Sequence, residues 1–173
     1  MQSVSIRNNW ISFRGSSKVK DLQEQEVYNV EGRFFSFTRK KFVKDLEGNV
    51  LFIVRNKFWS IFGRKAFVLD KDKNQVALVR KKIFSLHDRY FITSEKGDLE
   101  IKGNILGFDY HISLNGEEIG HISRRISLRD SFVLDLNDGH DLAFYVALVI
   151  AIDNITDRQR EAASSSSSYS SND

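Results

Sequence analysis

Hydrophobic and polar positions alternate along this chain in short runs, and turn-forming residues cut the runs at nearly regular intervals. In HISLNGEEIGHI, His111, Ser113 and Asn115 alternate with Ile112 and Leu114, the pattern of a strand wet on one side. In NVLFIV, Val50, Phe52 and Val54 fall on one face and Leu51 and Ile53 on the other. Both faces of that strand are apolar, so at least one extra layer must cover the sheet. The interruptions are DLQEQ at Asp21, DLEGN at Asp45, DKDKN at Asp70, SEKGD at Ser94, LNGEE at Leu114 and LNDGH at Leu136. Their Asp, Asn and Gly residues supply turn geometry and tolerance of left-handed backbone.

Between these turns a degenerate segment recurs in order. It reads NWISFRGSSKV from Asn9, RFFSFTRKKFV from Arg33, KFWSIFGRKAFV from Lys57 and KIFSLHDRYFI from Lys82, then more loosely NILGFDYHI from Asn104 and RISLRDSFV from Arg125. Ser12, Ser36, Ser60, Ser85, Gly107 and Ser127 anchor the copies, 20 to 25 residues apart, as in a repeat with drift. Each unit reads as strand, turn, strand, turn, so six units predict an antiparallel meander of about twelve strands.

The last unit ends differently. LAFYVALVIAIDNI has no alternation, is rich in Ala and Leu, and follows Asp138, Gly139 and Asp141 as start signals, which predicts a helix over about 141–155. A helix that is apolar all round is buried on all sides, and a meander closing on itself supplies that enclosure. The apolar run Leu142 to Ile152 would rise about 16 Å as a helix against a hydrocarbon core of about 30 Å, too short to span alone. The polar segment RQREAASSSSSYSSND is expected to form a disordered Ser-rich tail over 158–173, leaving a single domain over 1–157.

The K/R-x-F-S type repeat, YNVEG at Tyr28 to Gly32 and the closing SFVLDLNDGHDLAFYVALVIAIDNI from Ser131 together resemble the LURP-one-related family, including its small bacterial YxjI-like members. The resemblance covers about Gln2 to Ile155. That family belongs with the tubby C-terminal domain and the phospholipid scramblases in one fold superfamily. The resemblance implies a mainly β, tubby C-terminal-like closed antiparallel barrel of about twelve strands around a buried C-terminal hydrophobic helix. Relatives include phosphoinositide-binding tubby domains, scramblases and plant defence-associated proteins, but a shared fold alone does not transfer function. Tubby's phosphoinositide-binding residues have no position-by-position match here. The scramblase comparison implies a calcium-binding acidic stretch before the terminal helix, where this chain has Asp135, Asp138 and Asp141. The absence of cysteine and proline and the short apolar helix argue against scramblase activity.

Composition narrows the chemistry. With no cysteine among 173 residues, disulfides, thiolate nucleophiles and Cys-type zinc sites are excluded. The net charge of +3 permits attraction to phosphate-bearing partners without requiring them. The N-terminal segment lacks the pattern of a signal peptide, so the expected location is cytoplasmic, with peripheral attachment to a membrane as an extension.

The candidate anion-binding residues are Arg39, Lys40 and Lys41, Arg64 and Lys65, Arg80, Lys81 and Lys82, and Arg124 and Arg125. If strands bring several onto one rim, they could hold anionic headgroups or phosphates. The alternative is solvated strand ends that protect sheet edges. Aromatics interleave with cations in RNKFWSIFGRK, yet nucleic-acid signatures are missing and that partner is disfavoured. His87, His111, His121 and His140 show no compact ligand spacing, although His111 and His121 could meet across a hairpin. Asp135, Asp138 and Asp141 are weak metal candidates whose simpler role is a turn and helix N-cap.

No G-x-S-x-G elbow or phosphate-cradling loop appears, and Glu117 and Glu118 fall in a turn facing water. The expectation is therefore a non-enzymatic, cofactor-free module that binds anionic phospholipid, phosphoinositide-like lipid or phosphorylated ligands through its basic clusters. The alternatives are a structural or protein-interaction barrel and, less favoured, a scramblase-like protein or a carrier of apolar ligands.

Overall fold

The computed structural model describes residues 1–7, 17–32, 38–57, 65–82, 87–104, 109–125 and 131–167, and among them the alternating segments form twelve strands and one helix. In chain order these are β1 (Gln2–Arg7), β2 (Ser17–Asp21), β3 (Glu26–Gly32), β4 (Lys41–Lys44), β5 (Val50–Asn56) and β6 (Lys65–Asp70). They continue as β7 (Gln75–Lys81), β8 (Asp88–Ser94), β9 (Gly97–Asn104), β10 (Asp109–Leu114), β11 (Glu117–Arg125), β12 (Ser131–Leu136) and α1 (Leu142–Ser167). Every strand pairs antiparallel with its sequence neighbours. β1 also pairs with β12, from Gln2↔Leu136 to Arg7↔Ser131, so the sheet closes into a barrel with no open edge.

The pleat sends alternate residues inward. Val4, Val19, Val30, Val43, Val54, Val68, Val79, Ile92, Ile101, Ile112 and Leu134 all join one buried core with the helix. In β5, Val54 belongs to that core and Phe52 packs against it. Ile53, on the outer face, is buried between its cross-strand neighbours Phe42 and Leu69.

The six turn signals occupy the connections β2–β3, β4–β5, β6–β7, β8–β9, β10–β11 and β12–α1, all at one end of the barrel. Three of them share one design. The side chains of Asp21, Asp45 and Asp70 accept the backbone N–H of Gln25, Asn49 and Asn74 at 2.9, 2.8 and 2.8 Å. Glu24, Gly48 and Lys73 hold the left-handed position, with φ of 62°, 90° and 69°. The Asn49 and Asn74 side chains donate to Asp45 and Asp70, and with the backbone N–H groups they hold both carboxyls below the usual carboxylate range. The repeat anchors Ser12, Ser36, Ser60, Ser85, Gly107 and Ser127 lie outside the described residues.

Helix α1 fills the barrel. Asp141 caps it, accepting the Phe144 N–H at 3.2 Å, and every residue from Ala143 to Thr156 is buried. It packs chiefly against β5 and β6. The helix does not stop near residue 155 but runs to Ser167, through most of the segment expected to be a disordered tail. Gln, Arg, Glu and Ala in QREAA are good helix formers, and a nucleated helix propagates through such residues at little cost.

Candidate functional site

The end opposite the turns is marked by the described strand ends Arg7, Ser17, Gly32, Lys41, Asn56, Lys65, Lys81, Asp88, Asn104, Asp109, Arg125 and Ser131. Strand direction places the predicted basic clusters there. Arg39 and Lys40 precede β4 and Lys41 begins it, Lys65 begins β6, Arg80 and Lys81 end β7 with Lys82 after them, and Arg124 and Arg125 end β11. Arg64 lies outside the described residues. The turn end has the opposite character, since its connections hold or adjoin Asp21, Asp45, Asp70, Glu95, Glu117 and Asp138. Among the described residues, cations thus predominate at one end of the barrel and carboxylates at the other.

Within the basic end the described side chains of β4, β6 and β7 fall into two populations. Lys41 shares the inward face with Val43, and its Nζ meets Asp153 Oδ2 of the helix at 3.1 Å. Lys81 shares the inward face with Val79; it pairs with Asp88 at 2.6 Å and lies 5.6 Å from the centre of the Tyr90 ring. Arg39 pairs with Asp157 at 3.9 Å. Asn56 donates to the Asn154 carbonyl at 3.1 Å, Asn154 donates to the Arg39 carbonyl at 3.0 Å, and the Tyr90 and Thr156 hydroxyls lie 3.3 Å apart. Burial pushes the Tyr90 phenol well above its ordinary pKa. These contacts form a polar collar that seats the helix.

Lys65 and Arg80 belong to the second population. They are cross-strand partners, exposed on the outer face, and Arg80 donates to Thr93 Oγ1 at 3.2 Å. Lys82 is exposed just beyond them. These three cations present themselves to an external anion, whereas Arg39, Lys41 and Lys81 are tied to carboxylates.

Asp135, Asp138 and Asp141 do not gather into one cluster. Asp135 accepts the Ser3 hydroxyl at 2.5 Å, Asp138 pairs with the Met1 amine, and Asp141 caps the helix with Lys96 3.8 Å away. His111 and His121 are cross-strand partners with ring centres 5.0 Å apart, and both have carboxylate neighbours that chain spacing did not reveal. Asp109 meets His121 Nε2, and Glu118, expected to face water, lies 3.0 Å from His111 Nδ1. The only signal in the chain was Asp-x-His on a strand facing a second histidine.

Residues 3–153 match the profile of the LURP-one-related family. The chain belongs to that family. Among solved structures, this LURP-one-related barrel is similar to an Arabidopsis thaliana protein determined by X-ray crystallography, with a TM-score of 0.66 and 14% identity over 90% of this chain and 91% of that one. At that identity the likeness carries the fold alone. No curated protein sequence matches the LURP-one-related chain. No helix among its described residues is long and apolar enough to cross a membrane.

Proposed function

We propose that this LURP-one-related barrel is a non-catalytic module that engages phosphate-bearing anionic ligands, as lipid headgroups or as free phosphorylated molecules, through its basic end. The supporting observation is the placement of Arg39 to Lys41, Lys65, Arg80 to Lys82, Arg124 and Arg125 at one end, opposite acidic turns. Such polarity orients a molecule at an anionic surface, and each basic residue near a membrane contributes about 1 kcal/mol. Scramblase-like activity and a YxjI-like role draw no support from this geometry. A carrier of apolar ligands would need the lumen that α1 fills.

Sedimentation with phosphatidylcholine vesicles, with and without phosphatidylserine or a phosphoinositide, tests the reading. Recovery should rise with anionic lipid, fall with salt, and fall in the triple variant Lys65→Glu, Arg80→Glu, Lys82→Glu. Calorimetry with a soluble inositol phosphate separates free ligand from membrane. Equal recovery with neutral and anionic vesicles at low salt, together with no inositol phosphate binding, would remove the proposal.

A second reading, a protein-interaction barrel, rests on Phe91. This exposed aromatic faces Arg80 across the ladder and lines a groove of about 690 Å³ with Thr93 and Asp98. A protein partner lost on Phe91→Ser but retained by the charge-reversed variant would favour it.

A further inference from the structure

We propose that Asp109, His111 and His121, with Glu118 beside them, form a binding site for a divalent transition-metal ion of the zinc class on the outer face of β10 and β11. Three features of the ladder build it. Asp109 and His111 are two residues apart on β10 and so share a face. His121 is the register partner of His111. The third feature is a bulge: the pairing passes from Ile112↔Gly120 to Ser113↔Glu118 and leaves Ile119 without a partner. Glu118 and His121 are an odd number of residues apart and would otherwise point to opposite sides. The extra residue puts both outside and turns Ile119 into the core, where it is buried.

One ligand atom from each of Asp109, His111 and His121 lies within 4.8 Å of the others. Ligands about 2.1 Å from a tetrahedral zinc are about 3.4 Å apart, so small side-chain rotations close the site. Those rotations are available, because Asp109 and His111 are exposed and His121 partly so. Two imidazoles and carboxylate select zinc, nickel or copper over calcium and magnesium. Asp109, His111 and Glu118 line a shallow cavity of about 570 Å³ that also meets His87, Arg89, Glu100 and Lys102. Lys102 faces His111 from β9, Arg89 is paired with Glu100 at 2.7 Å, and Asp135 faces His121 from β12. Carboxylates thus outweigh the facing cation. Gly103 makes the close packing of β9 on β10 feasible, since a Cβ there would lie 1.9 Å from the Asp109 carbonyl oxygen.

The site is independent of the anionic-ligand reading, and its test uses metal alone. Titration of the full chain with zinc chloride should show one ion per chain with micromolar affinity. His111→Gln and His121→Gln should each weaken it at least about tenfold. Calcium chloride at the same concentrations should give no binding. In the unmodified chain, imidazole NMR signals of His111 and His121 should shift with zinc while those of His140 stay put, an observation that needs no variant to fold. Absence of saturable zinc binding up to about 1 mM, zinc affinity unchanged in folded His111→Gln and His121→Gln, or zinc shifts confined to other histidines would overturn the proposal and leave two surface ion pairs.

Discussion

Lys41, the first residue of β4, reaches into the barrel and meets Asp153 of the central helix at 3.1 Å, joining positions 112 residues apart in the chain. Asp153 is buried, so removing the Lys41 ammonium takes away a charge contact that solvent cannot replace. Lys41→Met should cost about 3 kcal/mol in urea unfolding, and adding Asp153→Leu should recover much of that loss. Equal stability of Lys41→Met and the parent would show that the pair carries no weight.

Ala147 is fully buried at the middle of the enclosed stretch of α1. Ala147→Asp places an uncompensated carboxylate inside the barrel and should destabilise it by about 3 kcal/mol or more. Circular dichroism melting reads the effect. A cooperatively folded variant with an unchanged midpoint would contradict the central position of the helix.

The aspartate turns offer a paired test. Lys73 and Gly48 occupy the same left-handed position in the β6–β7 and β4–β5 turns. Lys73→Gly should stabilise by about 0.5 kcal/mol, the gain from relieved backbone strain being partly offset by chain entropy, while Gly48→Ala should cost about 1 kcal/mol. Nothing crowds Gly48 within 4 Å, so a cost there isolates backbone conformation from packing.

Tyr145 is buried, and its hydroxyl finds no hydrogen-bond partner among the described residues. Burial, with the nearby Asp141 carboxylate as a smaller contribution, pushes its phenol up to about 12. The unfolded chain ionises first as pH rises past about 10, so folding stability should decline between about pH 10 and 12. Tyr145→Phe should flatten part of that decline and gain about 1 kcal/mol at neutral pH by removing an unsatisfied hydroxyl. Denaturant midpoints measured across the pH range decide both points. At the acid end, the lowered carboxyls of Asp45 and Asp70 contribute stability that is lost as pH falls below about 4, which their NMR titrations would show directly.

Local chemistry made much of this architecture readable. The Asp-Asn-Gly turns stand at all six connections of one end, and Asp141 begins the helix, because those side chains act on backbone only a few residues away. Runs of cations misled for the opposite reason. Arg80, Lys81 and Lys82 look like one cluster in the chain, yet the strand's period of two sends Lys81 inward to Asp88 and leaves Arg80 outside. The histidine cluster was half legible: the hairpin implied that His111 and His121 meet, but one unpaired residue, Ile119, decides that Glu118 joins them. A bulge of that kind leaves no mark on composition. The end of α1 carries no such local signal, since helix formers beyond Asp157 extend a helix whose nucleus lies inside the barrel.

Closure of β1 on β12 has a consequence for biosynthesis. Gln2 finds its partner in Leu136, and the core that both strands enclose is supplied by a helix synthesised after all twelve strands. The emerging chain must therefore hold strand after strand without the plug they will surround. Topologies dominated by such distant pairings fold slowly and expose unpaired strands while they wait. A ribosome-bound chain arrested before Leu142 should remain protease-sensitive throughout, and resistance should arise in one late step once the helix clears the exit tunnel.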